Sequence, residues 1–282
     1  MSQKIAIITG AHGLLGSILK KEFEKNGYIV YSLVRDPKSD HDLYFSLQEQ
    51  FDWTQISAKV DILIHAAYDF YPTEKSDVIE INGYNSISFL QSAREFGIQN
   101  ILYISSMAAY NGTKSLYGNC KILVEDHVIS INGIIVRPGL IWGKELKGIF
   151  GALKNLILKV PLIPLIGYGD QVLYLAHEQD LASAINEISN KFQNFNSKVI
   201  ILASDEPIEF KEVLKRIAKS VGKWIFLIPI PWWVFYSLLR ILEIIKIKPP
   251  FKSDSLISLI NQDKNPDFSY LSKLETKFRK FI

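Results

Sequence analysis

A tyrosine and a lysine stand four residues apart in the segment YGNCK, and a serine precedes them in the chain. Tyr117 and Lys121 fall on a predicted helix, where one turn brings both side chains to the same face. A phenol with an ordinary pKa of about 10 is a poor base at neutral pH, but a nearby ammonium lowers that value. Tyr117 is therefore a candidate to exchange a proton with a substrate hydroxyl or carbonyl, with Ser106 holding the same oxygen.

The order of these groups along the chain favours a site over an ordinary helix surface. Taken alone, a Tyr and a Lys at this spacing indicate only a solvated helix face. Ser106, however, follows a predicted strand from Ile101 to Ser105, and the glycine-rich loop lies upstream. Groups that converge at one end of a sheet in this way are what a catalytic site requires.

The stretch IAIITGAHGLLGSILKKEF, Ile5 to Phe23, predicts a phosphate-binding turn between a strand and a helix. A short apolar run precedes the glycines, and leucine, isoleucine and phenylalanine recur at helical spacing after them. The first turn of such a helix presents free N–H groups and a partial positive charge to a pyrophosphate. The alternative is a plain strand-to-helix turn. The predicted cofactor-binding positions are Gly10, His12, Gly13, Leu14, Leu15 and Gly16.

Alternating strand and helix patterns predict an α/β fold, a Rossmann-type doubly wound parallel sheet with a smaller, mainly C-terminal substrate lobe. We expect an NAD(P)-binding domain over residues 1–160, with later returns near 176–202, and a mainly substrate-binding lobe over residues 161–282. Prolines break this second part into short elements. The predicted strands are Ile29 to Val34, Asp61 to Ala66, Ile101 to Ser105, Ile134 to Arg137 and Val199 to Leu202; the clearest helices are Val78 to Phe96 and Tyr117 to Ile131.

Composition excludes several classes of function. The formal charge of +3, without a dense Lys/Arg block, argues against a nucleic-acid partner. The single cysteine, Cys120, excludes an internal disulfide and fits a reducing compartment, so we expect a cytoplasmic protein. No Cys/His cluster in the sequence suggests a metal.

Two charge-free stretches raise the question of a membrane. Ile5 to Leu19 contains three glycines and leads into an amphipathic helix, which argues against a signal peptide. Trp224 to Leu239 has 16 residues, short of the roughly 20 that a span needs, so we expect no transmembrane span. The second stretch is either a packed lobe helix, with Trp232 and Trp233 turned inward, or a surface-lying anchor in peripheral contact with a membrane.

These motifs together resemble the extended short-chain dehydrogenase/reductases, and among them the NAD(P)-dependent epimerase/dehydratase group that acts on nucleotide-linked sugars. TGAHGLLG matches the family's TGxxGxxG, DILIHAA its fourth-strand motif, and YISSMAAY with YGNCK its Ser and YxxxK residues. RPGLIWG, Arg137 to Gly143, is similar to the family's substrate loop. AHEQDLASAI, Ala176 to Ile185, is similar to its VxVDDLA-type helix start.

The resemblance implies hydride transfer between a nicotinamide and a sugar carbon, and a homodimer built from the two predicted helices. Tyr117 is then the acid/base, and Lys121 lowers its pKa and touches the nicotinamide ribose. Ser106 orients the reacting oxygen, with Ser105 as the alternative. The further cofactor-binding positions that the resemblance implies are Ala66 and Ala67 on the adenosine-diphosphate side, Pro138 near the nicotinamide, and the helix asparagine Asn82.

The end of the second strand bears on cofactor choice. An acidic residue there would bind the ribose hydroxyls of NAD, but VYSLVRD has Val34 at this point, followed by Arg35. A guanidinium beside the ribose suits a phosphate, so we expect NADP ahead of NAD. Asp36 leaves NAD open, because a small shift of the strand end would let its carboxylate reach the ribose.

Two departures from the family pattern bear on the reaction. The family's sugar 4,6-dehydratases carry an acidic pair directly after the catalytic Ser or Thr, where this chain has Met107 and Ala108. Dehydration by that route is therefore not expected. The arginine that grips the substrate diphosphate, four residues before His177, is replaced by Leu173. Candidates to substitute for it are Lys144, Lys147 and Arg216.

The leading hypothesis is an NAD(P)-dependent epimerase or keto-reductase acting on a nucleotide-activated sugar. The aromatic segment KWIFLIPIPWWVFYSLLRILEIIKIKPPF and the missing arginine leave a dehydrogenase of an apolar alcohol or ketone as an alternative. A third hypothesis is a catalytically inactive NADP-binding scaffold or sensor. The retained serine, phenol and ammonium argue against it, because a scaffold has no physical need for them at one point.

Overall fold

A parallel sheet forms the centre of the computed structural model, which describes residues 3–144, 148–245 and 252–281. The strands in chain order are β1 (Lys4–Thr9), β2 (Tyr28–Val34), β3 (Asp42–Tyr44), β4 (Ile62–His65), β5 (Ile101–Ile104), β6 (Ile134–Pro138), β7 (Leu140–Trp142), β8 (Leu162–Ile166), β9 (Val172–Leu173), β10 (Leu175–His177), β11 (Val199–Leu202), β12 (Ile208–Glu209) and β13 (Phe226–Ile230). Within the described residues, seven of them form the central sheet in the order β11-β6-β5-β4-β1-β2-β3. Every pair is parallel, which confirms the predicted doubly wound α/β sheet.

Helices cover both faces of this sheet and build most of the second lobe. In chain order they are α1 (Leu14–Lys25), α2 (Lys75–Ile79), α3 (Asn85–Glu95), α4 (Leu116–Ser130), α5 (Gly148–Lys159), α6 (Glu178–Asn190), α7 (Phe210–Ser220), α8 (Trp232–Ile244) and α9 (Ser253–Ile260). A π-helical turn, Glu80–Tyr84, joins α2 to α3. The helix predicted over Val78 to Phe96 is therefore a continuous helical run with a wider turn in the middle.

Alternating side chains divide the core of the sheet into two layers. In β1, Ala6 and Ile8 pack against α1 and α6, whereas Ile5 and Ile7 pack against the layer of α3 and α4. Neighbouring strands repeat the pattern because successive side chains point to opposite faces. Strands buried on both faces read as continuous apolar runs, which is why the sequence predicts them well.

The strand order reverses direction between β1 and β4, which makes a crevice at their carboxyl ends. β1 continues through β2 to one edge of the sheet, and β4 continues through β5 and β6 to the other. Thr9 at the end of β1 is in register with His65 at the end of β4. Such a switch point is where open α/β sheets bind ligands.

The predicted elements of this domain lie within one to three residues of the observed ones. The strand predicted at Val199 to Leu202 is β11, which pairs with β6 at the edge of the main sheet. α6 begins at Glu178 after the N-cap His177, inside the predicted helix start. The division predicted near residue 160 stays a prediction. Phe150 and Ile157 of α5 already pack into the core of the later lobe.

The later lobe has a small core of its own. Two short sheets, a parallel pair of β8 with β13 and an antiparallel pair of β9 with β12, lie beside α5, α7, α8 and α9. The sequence did not predict these strands, because runs of two to five residues interrupted by proline carry little periodic signal. Pro249, Pro250 and residues 246–247 of the aromatic segment lie outside the described residues.

The expectation that Trp232 and Trp233 turn inward is wrong. Both are exposed, and along α8 only Leu239 is fully buried. The physical reason is that side chains from α5, α7 and α9 already fill the lobe core, so α8 packs on its outside. No helix in the described part of the chain combines the length and the apolar composition needed to cross a bilayer.

Gly16 allows α1 to pack close to the end of β1, and replacing it with alanine tests how close this packing is. A Cβ at this position would lie 2.1 Å from the Gly10 carbonyl oxygen and 2.8 Å from the Ala11 Cα. We expect Gly16→Ala to lower the free energy of unfolding by about 1–3 kcal/mol in urea titrations, although alanine is the better helix former. Ser17→Ala, in the same turn, is the control and should stay within about 0.5 kcal/mol. Equal stability of Gly16→Ala and wild type would contradict this packing.

Candidate active site

The glycine-rich loop turns sharply from β1 into α1. Gly10 has a φ of +66°, and its N–H donates to the Leu33 carbonyl at 2.9 Å, which holds the loop against the end of β2. A Cβ on Gly10 would meet the Ala67 Cα at 3.1 Å. Gly13 is the N-cap of α1, so no side chain caps the first N–H groups of the helix. Leu14 and Leu15 form the first helical turn behind it, and that turn contains no acidic residue.

A threonine hydroxyl joins the ends of β1 and β4 across the crevice. Thr9 Oγ1 accepts the N–H groups of Ala66 and Ala67, both at 3.0 Å, and lies 2.9 Å from His65 Nδ1. Burial lowers the pKa of His65 to about 3, so its ring is neutral and shares a hydrogen bond with the threonine hydroxyl. These bonds fix the backbone at Ala66 and Ala67, two of the positions expected to line the adenosine-diphosphate side.

The residues after β2 separate the two candidates for ribose recognition. Arg35 follows the strand directly, stacks 5.0 Å from the centre of the Tyr71 ring and lies 3.6 Å from Asp69 Oδ1. Asp36 points outward, where its carboxylate pairs with Lys38 at 3.1 Å. The strand end therefore presents a guanidinium on the side of the glycine loop and turns the carboxylate of Asp36 away from it.

A buried carboxylate on β3 binds the histidine of the loop. Asp42 Oδ2 lies 3.1 Å from His12 Nε2, and Oδ1 accepts a hydrogen bond from Lys20 at 3.2 Å. Burial alone would raise the pKa of Asp42, but hydrogen bonds from the Lys38 N–H, Ser39 and Lys20 hold it well below its usual range. The charged carboxylate thus fixes the His12 ring beside the phosphate-binding turn.

Asn82 lies in the π-helical turn and binds the segment that follows β4. Its Oδ1 accepts the Asp69 N–H at 2.6 Å, and its Nδ2 donates to the Asp69 carbonyl at 3.0 Å. The side-chain carbonyl and NH2 group of Asn82 therefore both bond the backbone of Asp69. Asn82 is buried, and its contacts hold the same loop that carries Ala66, Ala67 and the partner of Arg35.

Tyr117 and Lys121 lie one turn apart on α4, beside the carboxyl end of β5. Lys121 Nζ is buried, donates to the Ile104 carbonyl at 2.8 Å and lies 5.7 Å from the centre of the Tyr117 ring. Ser106 hydrogen-bonds to the Tyr117 phenol. The structure thus brings together the three side chains that the sequence singled out for proton transfer.

Burial, more than mutual charge, sets the protonation of this pair. It raises the pKa of Tyr117 to about 12, while the hydrogen bond with Ser106 acts in the opposite direction. It lowers the pKa of Lys121 to about 7, against the influence of Glu125. The pKa of Tyr117 is therefore raised overall, although a charged Lys121 was expected to lower it; a buried ammonium itself tends to lose its proton. At neutral pH the phenol is a proton donor.

Ser105 belongs to a separate buried network and not to the proton-transfer group. Its hydroxyl donates to the Glu125 carboxylate, which also receives the Arg137 guanidinium at 2.9 Å and 2.6 Å. This pair joins α4 to β6 beneath the site. Of the two neighbouring serines, Ser106 is the one hydrogen-bonded to Tyr117.

The second lobe contributes a carboxylate that caps the helix of Tyr117. Asp254, on α9, accepts the N–H groups of Leu116 at 2.7 Å and Tyr117 at 2.9 Å. The Ser115 hydroxyl accepts the Gly118 N–H at 3.0 Å in the same turn. Three of the first N–H groups of α4 are thereby satisfied, one of them belonging to the tyrosine itself.

Other contacts from the same part of the chain close around the site. Lys252 donates to the Phe70 carbonyl at 2.6 Å, and the Tyr110 hydroxyl donates to the Asn261 carbonyl at 2.7 Å. The Tyr117 ring packs 4.9 Å from Tyr68 and 6.3 Å from Phe70. The wall next to the phenol is therefore aromatic.

The residues considered for binding a substrate diphosphate lie in different parts of the structure. Leu173 lies in β9, on the lobe side. The Arg216 guanidinium donates to the Phe281 carbonyl. Lys144 is exposed, and its N–H donates to Glu178; Lys147 lies outside the described residues. Pro138 ends β6, where its carbonyl accepts the Met107 N–H at 3.4 Å beside Ser106.

Sequence analysis missed several residues that build the site. Asp254 and Lys252 carry no local motif and meet the site only through folding, from more than a hundred residues away. His65 and Tyr68 were within reach, because they flank the quoted alanines at the end of a predicted strand. Among the described residues, no group of His, Cys, Asp and Glu is arranged to hold a metal ion.

The loop geometry fits a dinucleotide. At Gly13 a Cβ would meet only the Gly10 carbonyl oxygen, at 3.0 Å, so the glycine leaves room for close approach from outside. The uncapped N–H groups of α1 and the cationic side chain of Arg35 are suited to phosphate groups. Bound there, a nicotinamide cofactor would extend along the crevice that Ala66, Ala67 and Tyr117 border.

Comparisons with known proteins agree with this geometry. The sequence model of the NAD dependent epimerase/dehydratase family matches residues 6–203. The UDP-glucose 4-epimerase of Vibrio cholerae is 21% identical over 265 residues, covering 82% of this chain and 80% of that protein.

Two solved structures share the fold. MoeE5, solved in complex with UDP-glucuronic acid and NAD, superposes with a TM-score of 0.69 at 17% identity, covering 80% of this chain and 85% of its own. The Helicobacter pylori ADP-L-glycero-D-manno-heptose-6-epimerase superposes with a TM-score of 0.67 at 16% identity, covering 90% and 94%. With a family match over most of its length and this fold, the chain belongs to the NAD dependent epimerase/dehydratase family and is an enzyme of the extended short-chain dehydrogenase/reductase type.

Proposed function

We propose that this enzyme is an NAD(P)-dependent epimerase or keto-reductase of a nucleotide-activated sugar, with Tyr117 as the proton-transfer residue. The observation that carries the proposal is the Ser106–Tyr117–Lys121 group next to the switch point of the sheet, in which Lys121 is buried and Ser106 and Tyr117 are half-buried. The relatives named above, an epimerase of UDP-glucose and a protein solved with UDP-glucuronic acid, support the substrate class. Met107 and Ala108 supply no acid or base after Ser106, which argues against elimination.

Each side chain then has a defined task. The bound nicotinamide supplies the hydride acceptor and donor. The neutral Tyr117 phenol donates its proton to a substrate carbonyl oxygen during reduction and receives it back during oxidation. Ser106 would hold the same oxygen by a second hydrogen bond, and Lys121, anchored on the Ile104 carbonyl, would bind the nicotinamide ribose.

NADP is the cofactor that Arg35 favours. Its guanidinium follows β2 directly, and the Tyr71 ring holds it in place. Asp36 pairs with Lys38, and Asp42 pairs with His12 and Lys20. Asp69 is the carboxylate beside Arg35, at 3.6 Å. None of these contacts requires a phosphate, however, and MoeE5 was solved with NAD. Binding of both NADH and NADPH is therefore measured below.

Asp254 acts as a positioning residue in this proposal. It touches only backbone N–H groups, yet one of them is that of Tyr117. A carboxylate at a helix N-terminus also has favourable electrostatics with the helix dipole. The second lobe therefore fixes the position of the first turn of α4 and, with it, the position of the phenol.

A dehydrogenase of an apolar alcohol or ketone is the second candidate. The rings of Tyr68 and Phe70 against Tyr117, with Leu173 in place of an arginine, favour an apolar substrate. An assay panel of UDP-, dTDP- and GDP-sugars alongside cyclic ketones and secondary alcohols distinguishes the two. Turnover of the second set alone would replace the nucleotide-sugar proposal.

Removing the phenol tests the proton transfer. We expect Tyr117→Phe to reduce kcat by at least about 100-fold, because the proposed proton donor is lost, while cofactor affinity by calorimetry stays the same. Tyr28→Phe is the matched control, since Tyr28 lies at the start of β2, at the opposite end of that strand from the crevice, and its hydroxyl donates to Asn190. Wild-type turnover by Tyr117→Phe would exclude Tyr117 as the donor.

Removing the guanidinium tests cofactor choice. Arg35→Ala should weaken NADPH binding by about tenfold or more and leave NADH binding little changed, because only NADPH carries the ribose phosphate. Asp36→Asn is the paired variant and should change neither affinity. A loss of NADH binding in Asp36→Asn, with no loss of NADPH binding in Arg35→Ala, would assign the enzyme to NAD.

Removing the cap tests positioning. We expect Asp254→Ala to reduce kcat by about tenfold or more, because a small displacement of the phenol is costly, with little change in KM for the cofactor. Asp254→Asn should recover only part of the rate, since its one amide oxygen can accept one of the two N–H groups while its NH2 group cannot accept the other. Asp263→Ala is the control, because its carboxylate accepts only the nearby Asn265 N–H. Full activity of Asp254→Ala would remove this role.

A further inference from the structure

The outer side of the second lobe exposes an unusual amount of apolar surface. We call the exposed side chains of β8, β13 and α8, together with Tyr168 and Trp224, the lobe face. Trp224 is 91% exposed, Phe226 67% and Trp233 60%. Soluble domains seldom expose several large rings side by side, and such a patch marks an interaction surface.

The parts of the lobe face adjoin one another. Phe226 on β13 pairs in register with Leu162 on β8, and both side chains are exposed on that sheet. The Gly167 N–H donates to the Ile230 carbonyl at 2.8 Å, which brings Tyr168 beside the start of α8. α8 follows β13 after Pro231 alone, so sheet and helix form one continuous surface.

α8 itself is apolar on nearly every side. A helix on the surface of a soluble domain normally carries a polar outer face. Here Trp232, Leu238 and Ile241 are exposed, and Arg240 and Glu243 are the only charged residues of the helix. Glu243 turns back to the protein, where it accepts the Ser253 N–H at 2.7 Å.

The charges around the lobe face are almost all positive. The chain as a whole is nearly balanced, with 32 Lys and Arg against 29 Asp and Glu. Residues 148–169 and 219–245, which contain the lobe face, hold Glu243 as their one carboxylate, and it pairs with Arg240. The basic residues of these two segments are Lys154, Lys159, Lys219, Lys223 and Arg240.

We infer that the lobe face docks on the surface of an anionic lipid bilayer. Tryptophan and tyrosine prefer the boundary between headgroups and acyl chains, because their rings are apolar and carry one polar group. Lysines beside them gain attraction from acidic headgroups, each worth roughly fivefold in binding. Among the described carboxylates, none pairs with Lys159, Lys219 or Lys223.

The same charges disfavour a second copy of the chain as the occupant. A two-fold interface brings the same patch of both copies together. The lobe face would then set its lysines against identical lysines with one carboxylate per copy to offset them, and like charges across an interface are unfavourable. An anionic bilayer meets both the apolar and the basic parts of the face. This docking holds whichever substrate the enzyme takes.

Vesicle sedimentation of the full chain tests the inference. The protein should pellet with vesicles of phosphatidylcholine and phosphatidylglycerol, pellet poorly with phosphatidylcholine alone, and release at high salt. The double variant Lys159→Glu/Lys223→Glu should lose binding by at least about tenfold. Lys21→Glu/Lys25→Glu makes the same charge change on α1, far from the face, and should pellet like wild type.

A second measurement keeps the test independent of variant folding. Tryptophan emission of the wild-type protein should shift to the blue and be quenched by brominated phosphatidylglycerol, since three of its five tryptophans lie on the lobe face. Trp224→Ser/Trp233→Ser should reduce the quenching. Protein that stays in the supernatant without an emission change overturns the inference. So does light scattering that finds a dimer which Trp233→Ser dissociates, because the face then belongs to a second copy.

Discussion

Burial disfavours charge on both members of the Tyr117–Lys121 pair, and the arrangement of the site depends on this constraint. A phenol and an ammonium one helical turn apart in water would each keep an ordinary pKa. Here the phenol is buried and its pKa rises to about 12, while that of the ammonium falls to about 7. Hydrogen bonds from neighbouring groups offset part of the desolvation cost, since the Ile104 carbonyl accepts from Lys121 and Ser106 bonds the phenol. A buried neutral phenol is suited to give a proton to an oxygen that becomes negative.

Two parts of the chain distant in sequence meet at this pair. The sheet domain supplies α4, the strand ends and the glycine loop, which together form the crevice at the switch point. The later lobe supplies Asp254, whose carboxylate caps α4, and Lys252, which holds the Phe70 carbonyl. Neither lobe alone fixes where the phenol lies.

The sheet domain was predictable from sequence, whereas most of the second lobe was not. Strands buried on both faces give unbroken apolar runs that can be recognised in the sequence. The glycine pattern can also be recognised, because a Cβ at a position such as Gly16 would collide with a carbonyl oxygen. Asp254 gives no such signal, because its importance comes from a contact across the fold. The direction of the Tyr117 pKa was also missed, since burial cannot be read from a spacing of four residues. Sequence analysis left open whether the tryptophans of α8 turn inward or lie on the surface, because composition does not tell which face of a helix is covered.

The most direct test of this account is the ionisation of Tyr117 itself. Carbon-13 labelling of tyrosine rings, with Tyr117→Phe to assign the signal, reports the phenol by NMR as pH rises. Burial predicts that Tyr117 is still neutral above pH 10, the ordinary midpoint of tyrosine, and titrates near pH 12. A Tyr117 signal that moves to the phenolate position near neutral pH would contradict the account, because charge from Lys121 would then outweigh burial and the residue would begin its reaction as a base.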